Sequence, residues 1–441
     1  MISNDFDIDL KGFFSGGDLL MLALSINAFL CGEDVQFVNT VQGFSSTGTH
    51  FKRAAFKPDY RKNGSYVGVW FKRNLEGPEF VIEDGKTLHF YDDGSKQWDS
   101  IPVARFNHRF SSYLCDEARA FLDSLLSVTD SFFVHPQQNE AGFKGFISRL
   151  NHLYRRPTTF HFVLGAGINS GCRGCLGWND LRELFREQIG RRLNSPSSIG
   201  EKITDSIFNI NYGEFQILKD IAPDVYDQML ISLANCIDPL PRPDNSILWT
   251  AAEIVAKQFD FGYTNQHVLT FNYDNAFEDC LKELKVPTAS LFKYVPRYRP
   301  FLSKQSFDPK IVEVIHSHGF IRKTNPSKIH LRSVVLTNED YILAYRTSRS
   351  YSYSKLYNHL KQTCTFVGNS ITDYEEQKVL AAFHSDYPSR FHYSLKRRSG
   401  DNLVDCYVSL FLLKLGIIPL WFNNYDEANC WLREEAGLKV I

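Results

Sequence analysis

Four short stretches of this chain place residues capable of chemistry directly after an apolar run. Leu164-Gly165-Ala166-Gly167-Ile168-Asn169 is a Gly-x-Gly turn, the kind that lets the backbone approach a pyrophosphate closely. A third glycine three places after Gly167 would complete the dehydrogenase fingerprint, but Ser170 stands there, so that fingerprint is not met. Thr270-Phe271-Asn272-Tyr273-Asp274 offers groups that can hold ribose hydroxyls and an amide that can position a water. The same run also reads as a helix cap, with Asp274 or Asn275 capping a segment that starts at Ala276. His316-Ser317-His318-Gly319 supplies an imidazole suited to general base work near neutral pH, or else a core histidine. If its strand continues, His316 points the same way as His318 and is the second candidate base. In Phe366-Val367-Gly368-Asn369-Ser370-Ile371-Thr372-Asp373, Gly368 permits close backbone approach, while Ser370 and Asp373 either meet a ligand or cap the next helix.

These stretches need elements to hold them. The runs at 160–167, 267–274, 312–319, 364–370 and 417–422 read as short buried strands ending in small or polar residues, with helical segments between. Such alternation predicts a parallel α/β sheet, in which ligands bind at the carboxyl ends of the strands. Residues 179–260 hold several helices, too many for one crossover, and are expected to form a helical insertion beside the site.

Residues 1–140 differ. A helix is expected at Asp18–Phe29, strands at 67–73, 80–84 and 87–94 with turn signals at Asp84-Gly85 and Asp93-Gly94, and a second helix at Leu114–Leu126. This portion reads as a smaller α+β domain without a catalytic cluster. The polar stretch His135–Gly142 is the linker candidate, and a helix at Phe143–Tyr154 leads into the second domain, 141–441.

Composition sets outer bounds. With 49 Lys plus Arg against 50 Asp plus Glu, the net charge of -1 gives no global affinity for phosphate backbones, and no direct nucleic-acid binding is expected. Hydrophobic residues at 43% and charged residues at 22% exclude a mostly disordered chain. The first apolar stretch, Leu19–Cys31, falls short of the ~20 residues that span a bilayer and contains Ser25 and Asn27. The acidic N-terminus lacks a secretory pattern, and a cytoplasmic protein is expected. Of nine cysteines, only Cys172 and Cys175 form a Cys-x-x-Cys, and one pair cannot close a tetrahedral zinc site, so no metal is expected.

In this order, each at a strand end, the stretches resemble the Sir2 (sirtuin-like) superfamily, and most closely the bacterial Sir2-like NADase branch of anti-phage defence proteins. That branch shows Gly-Ala-Gly-x-Ser, Gly-x-Pro-x-Trp-x-x-Leu, Thr-x-Asn-Tyr-Asp, a His-Gly pair and Gly-x-Ser-x-x-Asp. Here Asn169 stands in the serine place, and the second element reads Gly174-Cys175-Leu176-Gly177-Trp178-Asn179-Asp180-Leu181, with Leu176 for proline. The paired zinc cysteines of the deacylases are absent.

The resemblance implies a Rossmann-like parallel sheet that binds NAD across the strand ends and cleaves its nicotinamide–ribose bond. By it, Asn272 places the water, His318 is the general base, and Asp274 orients the loop. Gly165, Ala166, Gly167 and Asn169 lie by the pyrophosphate, and Trp178, Thr270, Gly368, Ser370 and Asp373 line the nucleotide. It further implies NAD depletion during phage infection, gated by homo-oligomer assembly or by an activating protein partner or phage component, with residues 1–140 as the place of control. Other classes it leaves open are an NAD-dependent deacylase or ADP-ribosyltransferase, and a non-catalytic module sensing NAD or ADP-ribose.

Overall fold

The computed structural model describes residues 16–32, 35–39, 66–71, 79–83, 87–92, 97–102, 115–132, 140–169, 213–236, 246–263, 267–292, 311–321 and 333–438. The two Asp-Gly turns, most of the linker stretch, the Cys172–Cys175 pair and Trp178 lie outside them. The chain divides into two compact units. One comprises Met1–Arg155, Leu380–His392 and Arg398–Trp421; the other comprises Arg156–Val379, Tyr393–Arg397 and Phe422–Ile441.

The first unit opens with helix α1 (Gly16–Cys31) and strands β1 (Val35–Asn39), β2 (Tyr66–Phe71), β3 (Glu79–Glu83), β4 (Thr87–Asp92) and β5 (Gln97–Pro102). The strands pair in sequence order as an antiparallel meander. β1 and β5 were not expected from sequence. Helices α2 (Asp116–Phe132) and α3 (Glu140–His152) follow. Ala118, Phe121, Leu122, Leu125 and Val128 form the buried stripe of α2 at helical spacing. Phe121 meets Phe146 of α3 with ring centroids 6.0 Å apart. Within α1, Asn27 is buried yet satisfied, since its Oδ1 accepts the backbone N–H of Cys115 at 2.8 Å.

Strand β6 (His161–Leu164) comes next, followed by a single 3-10 turn, Ala166–Asn169. Helices α4 (Gly213–Ile221), α5 (Pro223–Cys236) and α6 (Ile247–Asp260) precede β7 (His267–Thr270), α7 (Ala276–Glu283), β8 (Thr288–Phe292) and β9 (Val312–His316). Then come α8 (Asn338–Tyr345), α9 (Tyr351–His359), β10 (Cys364–Val367), α10 (Tyr374–Asp386), β11 (His392–Arg397), α11 (Asn402–Lys414), β12 (Ile417–Phe422) and α12 (Tyr425–Glu435).

Seven strands form one sheet in the order β12-β11-β10-β6-β7-β9-β8, and every ladder from β11 through β8 is parallel. The strands are short and, apart from the half-buried β8 and the end of β11, almost wholly buried, as an α/β sheet covered on both faces requires; β10 and β12 are buried at every residue. The expected strands at 160–167, 267–274, 312–319 and 364–370 are shorter here, because their small and polar final residues form turns instead. β8 and β11 carry no expectation from sequence. Helices α4 and α5 build a satellite core in which Phe215, Leu218, Val225, Tyr226, Met229 and Leu230 pack with Ile321, Val334 and Leu336, and Tyr273 lies against this core. Lys219 of α4 pairs with Asp340 of α8 at 3.0 Å, and Arg433 of α12 pairs with Glu253 of α6.

Candidate active site

The register of the sheet gathers the four chemistry-bearing turns. Val367 pairs with Leu164, Leu164 with Thr270, and Thr270 with His316, so the last residues of β10, β6, β7 and β9 stand in one row. The hydrogen bonds run one step further: Gly165 N–H to Val367 O, Phe271 N–H to Leu164 O and Ser317 N–H to Thr270 O. Each turn therefore leaves the sheet at the same level. The chain departs from β6 to β7 on one side and returns through β10 on the other, so the β6–β10 crevice is the topological switch point where ligands of such sheets bind.

At that crevice the glycines serve one another. Gly167 N–H donates to Gly368 O at 2.8 Å. A Cβ on Gly167 would lie 2.8 Å from that same oxygen, and Gly368 has φ +68° with a Cβ position that would overlap Ile168 N. The amides of Gly165 and Gly167 are thus engaged by β10, and Ala166 is the exposed residue of the turn.

Asn272 is buried and held on both sides of its Cα. Its N–H donates to Thr270 Oγ1 at 3.0 Å, and its carbonyl oxygen accepts from His316 Nδ1 at 3.0 Å. Its side-chain Nδ2 reaches Gly165 O at 3.3 Å, joining the β7 turn to the β6 turn. A second tie runs from Asn169 Nδ2 to Asp274 Oδ2 at 3.0 Å, while Asp274 Oδ1 accepts the Ala276 N–H at the start of α7. Of the two cap candidates, Asp274 supplies the capping oxygen, whereas the Asn275 side chain turns to Asp279. Burial, aided by the charge of Glu278, raises the Asp274 carboxyl above its usual range. Because a carboxylate accepts only, the nitrogen of Asn169 must face it, and the buried Asn169 Oδ1 is left without a partner among the described residues. That orphaned acceptor lies in the glycine turn itself, and a hydroxyl-bearing ligand there would satisfy it.

His318 is buried in an aromatic nest, with Phe271 at 4.7 Å and Tyr341 at 5.1 Å between ring centroids. Its Nε2 lies 2.7 Å from Tyr345 Oη. Burial pushes the imidazole down to about 4, against the opposing pull of the negative charge on Asp373. At neutral pH the ring is therefore uncharged. His316 behaves otherwise. β9 ends at His316, residues 317–318 form a turn, and the two-residue periodicity that would align the two rings is broken. His316 has no exposed surface, and its Nε2 meets Glu278 Oε1 at 2.6 Å. The expectation that it points with His318 and could replace it is corrected: both of its ring nitrogens are committed within the fold.

On the β10 side, Asp373 Oδ1 accepts the N–H groups of Glu375 and Glu376 and so caps α10, the alternative left open for it. Ser370 is exposed and its hydroxyl lies 2.8 Å from that of Thr372. Lys396 Nζ donates to the carbonyl oxygens of Asn369 and Ser370 at 2.9 and 2.8 Å. Asn369 Nδ2 donates to the buried Glu376 Oε1 at 2.7 Å. Burial, with the negative charge of Asp373 adding, raises the Glu376 carboxyl to about 8, and burial lowers Lys396 to about 8. At neutral pH the Glu376 carboxyl is largely protonated.

Tyr345, Glu278, Glu376 and Lys396 were missed from sequence. Glu376 sits three residues after Asp373, the spacing of a capping box, which was the one local signal for it; its carboxyl turns to Asn369 instead. Glu278 lies one helical turn beyond Asp274, and nothing local marks Tyr345.

Among the described residues no group of three His, Cys, Asp or Glu side chains is arranged to hold a metal ion, and no helix is long and apolar enough to cross a membrane. No curated protein matches the chain. A family model described as a SIR2-like domain matches residues 266–411, which run from the start of β7 into α11 and include both Asn272 and His318. Such a domain points to NAD-related enzyme chemistry, and the chain thus carries a domain of the Sir2-like superfamily.

Proposed function

We propose that the protein hydrolyses NAD+ at the nicotinamide–ribose bond. The observation that carries this reading is the placement of a buried, uncharged His318 and a doubly pinned Asn272 just past the ends of adjacent strands β9 and β7. The C–N bond breaks with its electron pair leaving on nicotinamide, and positive charge develops on the ribose. Asn272 positions a water for attack on the anomeric carbon, and His318 takes the proton that the water sheds. The products are nicotinamide and ADP-ribose. Asp274 and Thr270 hold the Asn272 loop, and the polar backbone of the β6 and β10 turns receives the rest of the nucleotide, with Gly165, Ala166, Gly167, Asn169, Gly368, Ser370 and Asp373 closest to it. Trp178 belongs to the same assignment through its motif.

The cellular role proposed with this reaction is an anti-phage effector that depletes NAD+, supported by the order of the motifs. Control would come from self-assembly or from a partner acting through residues 1–140. The test is direct: purified protein is mixed with NAD+, with and without an acetylated peptide, and free nicotinamide is measured. Release without peptide, lost by ~10²–10⁴-fold in Asn272→Ala and His318→Ala, is expected. Release only with peptide would replace hydrolysis by deacylation, and no release in the presence of infected-cell extract would remove the reaction.

A further inference from the structure

The loop that carries Asn272 rests on a pair of buried ionisable residues that the hydrolysis itself does not use. His316 Nδ1 lies 3.0 Å from Asn272 O and Nε2 lies 2.6 Å from Glu278 Oε1. A backbone carbonyl can only accept, so Nδ1 carries a hydrogen. Ser290 Oγ donates to the same Glu278 oxygen at 2.7 Å, which favours the carboxylate and makes Nε2 a donor as well. The line Ser290–Glu278–His316–Asn272 thereby connects β8, α7, β9 and the β7 turn.

The reach of this line follows from Asn272. Thr270 Oγ1 fixes the peptide plane before Asn272, and His316 fixes the plane after it. With both planes held, the direction of the Asn272 side chain is set. The Phe320 ring packs on the imidazole with centroids 4.6 Å apart, and His316 has no exposed surface. We propose that Glu278 and His316 form a buried charged strut that positions Asn272, so that they govern the rate of bond cleavage without touching the substrate. This rests on the reaction assigned above, in which Asn272 acts.

Electrostatics agree with the geometry. Burial works against charge on both groups, yet the attraction between them prevails: the Glu278 carboxyl is lowered and the His316 imidazole raised from their ordinary values. Asp274 adds a second negative neighbour to His316. Glu278 Oε2 is buried without a partner among the described residues, so among them the carboxylate is held through Oε1, by His316 and Ser290 together.

Glu278→Gln keeps the shape and removes the charge. Its kcat for nicotinamide release is expected to fall ~10–100-fold while KM stays within about twofold of wild type, because a positioning loss acts on the reacting geometry. Glu278→Asp, which retains the charge, is expected to recover part of the rate. Circular dichroism and the thermal midpoint identify variants that have merely lost their fold. An unchanged kcat in folded Glu278→Gln overturns the strut, and so does a fall confined to KM. A readout independent of activity is nitrogen-15 spectra of histidine-labelled protein, with the His316 signals identified by their loss in His316→Gln. Two protonated ring nitrogens at neutral pH support the strut, and an unprotonated Nδ1 overturns it. If the wild type releases no nicotinamide, the reaction fails on that assay while these spectra still decide the strut.

Discussion

Gly167 and Gly368 interlock across the β6–β10 crevice, each occupying the space a side chain on the other would need, with the Gly167 N–H donating to the Gly368 carbonyl at 2.8 Å. Gly368→Ala should lower stability by about 2–4 kcal/mol or prevent folding, because the new methyl meets backbone that cannot yield and φ stays positive. Gly145→Ala is the matched control. It lies inside α3 with nothing within 4 Å of its missing Cβ, and it should raise stability by about 0.5–1 kcal/mol. Urea unfolding measures both, and a neutral Gly368→Ala would show that the crevice is looser than its packing implies.

Tyr345→Phe removes the partner of His318 Nε2 while keeping the ring that stacks on Tyr341 at 6.2 Å. One hydrogen bond contributes about 1–1.5 kcal/mol, so kcat should fall roughly tenfold with the fold intact. The check is steady-state nicotinamide release alongside the thermal midpoint. Full activity in the variant would mean that the aromatic nest alone orients His318.

The buried histidines predict an acid-sensitive fold. His318 and His359 are lowered to about 4 and about 3 by burial, and His359 donates Nε2–H to Phe162 O at 3.0 Å. Folded pKa values below the ordinary 6.5 mean that the unfolded chain binds protons first. The stability from each is complete above 6.5 and declines as pH falls toward the folded value, by about 3 kcal/mol for His318 and about 5 kcal/mol for His359. Glu376, raised to about 8 from 4.5, has the opposite slope, since it favours the fold below 4.5 and loses that contribution as pH rises through 8. The difference between wild type and His359→Gln isolates the histidine, and stability curves from pH 7 to 4 should diverge as pH falls. Parallel curves would mean that His359 is more hydrated than its burial implies.

The parallel sheet was readable because its signals are local. Buried strands show as apolar runs of four to six residues, such as Cys364–Val367 and Ile417–Phe422, followed at once by glycine or polar turn residues. Strand lengths were overestimated for the same reason, since glycine, asparagine and serine at the ends of those runs belong to the turns. β8 (TASLF) and β11 (HYSLKR) escaped notice because their polar content hides the pattern; β8 is half-buried throughout, and β11 keeps His392 and Ser394 inside.

The sequence by itself determined which residue types stand at the strand ends, because the alternation of apolar run and turn is written within a dozen residues. It named Asn272, Asp274 and His318 and placed them at one edge of a sheet. Only the tertiary structure decided how those residues are held. Whether His316 is a spare base or a paired strut depends on Glu278, brought to it by α7. The state of His318 depends on Tyr345 at the far end of α8, and the need for Gly368 depends on Gly167, more than half the domain away. These relationships arise when the strand row is assembled and water is excluded, and burial then turns distant neighbours into the partners that set charge and direction.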